Sequence, residues 1–222
     1  MNSEICKNLQ GIKKEIGENA HLVAVSKTKP VQDILEAYHC GHKDFGENKV
    51  QEMRDKQAKL PEDIRWHLIG HLQRNKVKYI APYVHLIHSV DNLKLLKEID
   101  KQAQKNRRII PVLLQIKIAR EDTKYGMSFE EAEELLHSEE TTRLKNIRIE
   151  GLMGMATNTP DAQQRKKEFH RLKIFYERLK KEFPGFKYLS MGMSDDYLLA
   201  LEEGSNMVRI GSKIFGKREY SR

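Results

Sequence analysis

The sequence predicts an α/β fold of the (β/α)8 TIM-type barrel class, with one extra helix at the N-terminus. Three observations carry this. Short apolar runs alternate with helical stretches eight times along the chain, and that alternation means parallel strands joined by right-handed crossovers. Small and polar residues follow the runs: Ser26-Lys27, Gly46-Glu47-Asn48, Gly70-His71, Ser89, Gly154, Gly192 with Ser194, and Gly211-Ser212. In a barrel those ends converge on one mouth, where ligands bind, whereas an open sheet needs them only at its switch point. Finally, 222 residues are enough for a barrel at the short end of the class, about 200 residues. No linker rich in Pro, Gly or Ser divides the chain, so residues 1–222 read as a single domain. Periodicity alone leaves the open doubly wound sheet equally available, and Gly and Ser also serve as ordinary turn residues.

The elements follow in order. Residues 1–17 place Ile5, Leu9, Ile12 and Ile16 on one face and read as the extra helix. The strand candidates are Leu22–Val25, Asp44–Phe45, Trp66–Ile69, Leu86–Val90, Ile109–Ile118, Ile147–Met155, Tyr188–Met191 and Met207–Ile210. Each has strand length, and most carry β-branched or aromatic residues. Pro30 opens the first crossover helix, where its missing N–H costs nothing. Residues 92–105 put Leu93, Leu96, Ile99 and Ala103 on one face. The clearest helix follows Pro160, with Phe169, Leu172, Tyr176, Leu179 and Phe183 at three- and four-residue steps, and Pro184-Gly185 ends it.

Composition excludes several classes. No apolar run approaches the ~20 residues of a membrane-spanning helix, and the charged N-terminus is no signal peptide. Two cysteines, Cys6 and Cys40, without motif spacing read as unpaired thiols of a reducing, cytoplasmic setting. The net charge of +8 comes from 40 basic against 32 acidic residues. The signs are mixed along most of the chain, which reads as a solvated surface. Arg74, Lys76 and Lys78 beside Tyr79 read as a solvated helix face, so no nucleic-acid partner is expected. His67 and His71 stand four apart, but Leu68-Ile69-Gly70 between them reads as strand and turn rather than helix. No metal is expected.

Three segments carry chemistry. In Met207-Val-Arg-Ile-Gly-Ser-Lys-Ile-Phe-Gly216 a strand ends at Arg209-Ile210, and Gly211-Ser212 starts a helical turn. Unpaired N–H groups, a hydroxyl and a helix start suit a phosphate. Ser190-Met-Gly-Met-Ser194 repeats this on the preceding strand, and two such segments on sequential strands match the phosphate grip of barrels. An ordinary N-cap explains either one singly. Lys27 shares a strand face with Val23 and Val25. A lysine aimed into an apolar barrel favours its neutral, nucleophilic form, able to form a Schiff base with an aldehyde. A solvent-facing lysine is the plainer reading, and Lys29 is its nearest competitor.

Together these segments resemble the pyridoxal phosphate homeostasis protein family, whose fold is like the N-terminal barrel of alanine racemase. The matching stretches are Ala24-Val-Ser-Lys-Thr-Lys-Pro30, Phe45-Gly-Glu-Asn48, Trp66-His-Leu-Ile-Gly-His-Leu-Gln73, Gly151-Leu-Met153, Leu189-Ser-Met-Gly-Met-Ser-Asp-Asp196, Val208-Arg-Ile-Gly-Ser212 and Ile214-Phe-Gly216. The resemblance implies pyridoxal 5'-phosphate as cofactor, held as a covalent imine on Lys27. It implies a phosphate cradle of Ser194, Gly211 and Ser212, with Arg209 at the pyridine nitrogen. It also places Asn48 beside the cofactor and Met153 and Ser190 near its ring. It implies a monomeric cytoplasmic protein active in vitamin B6 homeostasis, with apo enzymes that use the cofactor as acceptors. The sequence departs from the family pattern at Lys49, at Lys117 and at Ala119-Arg120.

A binding and delivery role is expected rather than catalysis. Electron-sink chemistry usually needs a carboxylate that keeps the ring nitrogen protonated, and Arg209 stays charged instead. Racemases of this fold bring a second domain with an opposing base, and no segment after the last barrel motif reads as one. The alternative is a single-domain racemase or lyase using Lys27 and a mouth acid such as Glu47.

Overall fold

The computed structural model describes residues 3–120 and 125–216. The outermost residues of the expected 1–222 domain lie outside that range. The chain opens with α1 (Glu4–Ile16) and runs on through β1 (His21–Val25), α2 (Val31–His39), β2 (Asp44–Glu47), α3 (Val50–Gln57), β3 (Arg65–Leu68), α4 (Val77–Ile80), β4 (Leu86–Val90), α5 (Leu93–Lys105) and β5 (Ile110–Ile116). The second half holds α6 (Phe129–His137), α7 (Glu139–Thr142), β6 (Ile147–Gly154), α8 (Ala162–Glu182), β7 (Tyr188–Ser190), α9 (Tyr197–Glu202), β8 (Met207–Ile210) and α10 (Ser212–Phe215).

The eight strands close into a barrel in chain order. Every pairing is parallel, and β1 meets β8 with His21 opposite Met207 and Ala24 opposite Ile210. The barrel expectation therefore holds, and the open sheet does not.

Local signals explain the elements. Ser3 caps α1 through the backbone N–H of Cys6, and Asn92 caps α5 through that of Leu95. Such a cap satisfies a donor the helix leaves unpaired and contributes about 1 kcal/mol. Ser128 and Glu131 form a reciprocal capping box at α6. Pro30 sits one residue before α2, and Asp161 rather than Pro160 caps α8. The apolar stripe of α8 buries Phe169, Leu172, Tyr176 and Leu179 against the barrel.

Two layers of apolar packing follow. The larger lies between helices and sheet and includes Phe45, Trp66, Ile99 and Phe169. The smaller fills the barrel itself with Val23, Leu86, Leu113, Met153 and Met207. Gly151 marks a kink in β6. Its φ is +145°, and a Cβ there would lie 1.9 Å from the Tyr188 carbonyl oxygen, so only glycine lets β6 approach β7 so closely.

The cysteine expectation is corrected. Cys6 and Cys40 are joined as a disulfide, with Cα atoms 5.7 Å apart. Packing of α1 against α2 brings together residues that 34 positions of sequence had separated. The pairing removes the argument for a reducing compartment built on unpaired thiols.

Candidate functional site

The C-terminal ends of the strands surround a cleft of about 440 Å³, within the usual range for a small-molecule site. Lys27, Asn48, Ser194, Arg209, Gly211 and Ser212 all line it. The ends of β1, β2, β7 and β8 thus deliver six of the eight expected residues to one place.

Lys27 is half-buried, and Val25, two residues before it, also faces the cleft. The turn that carries it is held on both sides. The Lys29 backbone N–H donates to the Ser26 carbonyl at 3.0 Å. Ser26 Oγ donates to Glu47 Oε1 at 2.7 Å, and the Thr28 N–H donates to Glu52. Lys56 ties these groups together. Its Nζ lies 2.8 Å from the Ser26 carbonyl, 2.8 Å from Glu47 Oε1 and 2.7 Å from Glu52 Oε1. The Glu52–Lys56 half of this clamp is an i,i+4 helical pair written in the spacing, but nothing local signals that Lys56 also reaches Glu47 and the Ser26 carbonyl beneath the loop. It also corrects the expectation of Glu47 as a mouth acid. Gly46 faces the barrel interior, toward Val23 and Ile69, so by the two-residue pleat Glu47 points out of it. Its side chain is fully buried in the clamp and does not line the cleft. Burial pushes the Glu47 carboxyl up, and Lys56 opposes the shift.

Across the mouth, β8 and α10 supply the anion-binding groups. The Gly211 N–H donates to Ser194 Oγ at 3.2 Å. A Cβ on Gly211 would lie 2.9 Å from the Val25 carbonyl oxygen, so the absence of a side chain lets this turn close against β1. Arg209 is buried, and its Nη1 donates to Ser190 Oγ at 2.6 Å while Nη2 donates to the Gly154 carbonyl at 3.1 Å. Burial pulls the guanidinium down to about 10, which leaves it charged in neutral solution.

The two remaining expected residues lie deeper. Ser190 is fully buried beneath Arg209, and Met153 packs in the barrel interior, so neither lines the cleft. Met155, the next residue along the same face of the chain, lines it instead. Tyr125 and Gln115 also line the cleft and were missed, while His71, expected at a strand end, and Lys29, the expected competitor of Lys27, line it too. Tyr125 stacks on His71 with ring centroids 4.1 Å apart, and Lys29 Nζ donates to the Phe215 carbonyl at 2.6 Å. Lys49 is an exposed residue at the start of α3, and the Arg120 N–H donates to Thr157 Oγ1.

Below Arg209 a hydrogen-bonded chain runs down the barrel. Ser190 Oγ is 3.2 Å from His88 Nδ1, His88 Nε2 is 3.0 Å from His67 Nδ1, and His67 Nε2 is 3.1 Å from Asp44 Oδ1. Its two ends differ in chemistry. Arg209 can only donate. Although burial opposes it, hydrogen bonds from His67 and Arg65 hold the Asp44 carboxyl well below the usual range, so Asp44 only accepts. One arrangement that pairs every member has the Ser190 hydroxyl donating to His88 Nδ1, His88 Nε2–H to His67 Nδ1 and His67 Nε2–H to Asp44.

Comparison with known proteins follows the same geometry. The family model for the alanine racemase N-terminal domain matches residues 2–219. The pyridoxal phosphate homeostasis protein of Aquifex aeolicus is 42% identical, with 92% of this chain and 90% of that protein covered. That of Escherichia coli K12 is 36% identical over 92% of this chain and 88% of that protein. The chain belongs to the pyridoxal phosphate homeostasis protein family. PipY of Synechococcus elongatus PCC7942, solved without PLP, superposes with a TM-score of 0.89 at 34% identity, covering 96% of this chain and all of that one. The PipY structure with PLP bound gives 0.86 at 33% identity, again over 96% and 100% of the two chains. Among more remote neighbours, alanine racemase of Bartonella henselae shares the barrel, with a TM-score of 0.70 at 15% identity over 98% of this chain and 61% of that one. Among the described residues of this family member, no helix is long and apolar enough to cross a membrane.

Proposed function

We propose that this chain, acting as one cofactor-binding domain, holds pyridoxal 5'-phosphate at the barrel mouth and takes part in its homeostasis. The observation that carries this is the meeting of Lys27 from β1 with Ser194, Arg209, Gly211 and Ser212 from β7 and β8 in one cleft. An aldehyde that also bears a phosphate and a pyridine ring matches that set of groups. The close relatives named above as homeostasis proteins, and PipY with PLP bound, support the reading.

In this proposal Lys27 Nζ attacks the aldehyde carbon, an imine forms and one water leaves, reversibly. The clamp under the Lys27 turn fixes its position. Ser194 and the N–H groups of Gly211 and Ser212 take the phosphate, with Asn48 beside the cofactor. Arg209 faces the pyridine nitrogen, and Ser190, with Met153 deeper still, supports it from below. A guanidinium that stays charged disfavours protonation of that nitrogen, so the site favours storage and hand-over above turnover. The named relatives are likewise homeostasis proteins. Apo enzymes that use the cofactor are the acceptors, in a monomeric and cytoplasmic setting.

The test is spectroscopic. Purified protein mixed with the cofactor develops near-visible imine absorbance, borohydride fixes it, and the modified peptide contains Lys27. Lys27→Ala abolishes the band. A band of equal intensity in Lys27→Ala overturns the assignment.

A further inference from the structure

The end of the barrel opposite the mouth carries a second set of groups. Asp44 begins β2, His67 lies within β3, and His85 immediately precedes β4. One ligand atom from each lies within 4.8 Å of the other two. We propose that Asp44, His67 and His85 bind a divalent transition-metal ion, with zinc the best match.

Two neighbouring strands and the residue just before a third carry the ligands. Gly46 of β2 pairs with His67, and His67 pairs with Leu86, the residue after His85. The His85 N–H donates to the Trp66 carbonyl at 2.8 Å, so the residue just before β4 is tied to the sheet that carries the other two.

The donor set selects the metal. Two imidazoles and one carboxylate suit zinc and its neighbours in the transition series, while calcium and magnesium prefer oxygen alone. Three protein ligands leave a fourth position for water. Access is present, since His85 is exposed and Asp44 opens onto a hollow of about 730 Å³ at this end of the barrel.

The surroundings match what ligating groups need. A metal-bound imidazole almost always engages its other nitrogen, and ligating carboxylates are themselves hydrogen-bonded. His67 Nδ1 meets His88 Nε2 at 3.0 Å. Arg65 Nε holds Asp44 at 2.7 Å, and His42 Nε2 meets the Asp44 carbonyl oxygen at 2.9 Å. His85 lays its ring against His67, with centroids 5.3 Å apart. A simple Asp–His pair accounts for Asp44 and His67 but gives no role to the third ring.

Metal binding at His67 Nε2 has a consequence above it. With the ion on Nε2, a neutral His67 carries its proton on Nδ1, which donates to His88 Nε2. His88 must in turn carry its proton on Nδ1 and donate to Ser190 Oγ.

The test uses the full chain, stripped with chelator and dialysed against zinc. The expected result is one zinc per chain at micromolar concentration, with at least tenfold weaker binding in His85→Ala and Asp44→Asn. His85 is exposed, so His85→Ala keeps the fold, as circular dichroism checks. Nitrogen-15 spectra of His88, which does not touch the ion, then show its proton on Nδ1 in the zinc-bound protein. No zinc at micromolar concentration, equal binding in the variants, equal affinity for calcium, or a His88 proton on Nε2 with zinc bound would each overturn the proposal. Stoichiometry is read without pyridoxal 5'-phosphate, so failure here leaves the cofactor assignment standing.

Discussion

Replacing Lys56 with Met removes the cation at the centre of the clamp under Lys27. Met has a similar shape, so the main loss is electrostatic. Glu47 is left fully buried, with the Ser26 hydroxyl as its remaining hydrogen-bond donor. A buried charge in that state neutralises, and the cost of doing so sets the magnitude. The carboxyl ordinarily titrates near 4.5. Holding it protonated at pH 7 spans at most about 2.5 units at 1.36 kcal/mol each, and burial already raises the carboxyl in wild type, so the loss relative to wild type is up to about 3 kcal/mol. This sits at the low end of the roughly 3–5 kcal/mol seen when one partner of a buried pair is removed. The pH dependence follows in sign. In the variant the folded-state pKa of Glu47 lies above the unfolded value, so the folded state holds the extra proton. Stability relative to wild type is then present below pH ~4.5 and lost as pH rises, by about 1.4 kcal/mol per unit. Urea unfolding followed by fluorescence of Trp66, a buried residue and the sole tryptophan, measures this at pH 5 and pH 7. The expected loss is up to about 3 kcal/mol at pH 7 and under 1 kcal/mol at pH 5, and Glu47→Gln combined with Lys56→Met recovers most of it. A loss below 1 kcal/mol at pH 7, or one independent of pH, refutes the argument.

Gly211→Ala pushes a Cβ to within 2.9 Å of the Val25 carbonyl oxygen and displaces the turn assigned to the phosphate. Titrations are expected to show at least tenfold weaker binding of pyridoxal 5'-phosphate with unchanged binding of pyridoxal; equal effects on both would remove Gly211 from the phosphate site. Gly151→Ala meets the Tyr188 carbonyl oxygen at 1.9 Å and forces β6 from β7, at a cost of at least about 3 kcal/mol given combined overpacking and backbone strain. Urea unfolding that moves by less than 1 kcal/mol would show that the kink relaxes.

What the sequence makes legible here is what periodicity and local chemistry write into neighbouring residues. Val23, Val25 and Lys27 alternate on one face because a strand repeats every two residues, and Lys27 enters the cleft as expected. The β4 and β8 runs coincide with the observed strands, and the α8 stripe buries its expected face. Glu47 shows where the same rule was available but unused, since one step of the pleat separates the mouth from the clamp. Met153 fails differently. It has the correct face and the wrong depth, because pleat parity gives the side of a strand while the stagger of the closed barrel sets its height. The Cys6–Cys40 bond and the chain from Arg209 to Asp44 lie beyond either rule. Each joins residues that only barrel closure or helix docking makes neighbours. The polar chain is also hidden by its own satisfaction. Buried imidazoles look like isolated exceptions in an apolar run, and they become interpretable once each nitrogen has a partner across the barrel. Local sequence thus marks the mouth, where loops carry the chemistry. The opposite end must be read from contacts, and there the ring of His85 is the group that a cofactor site alone does not explain.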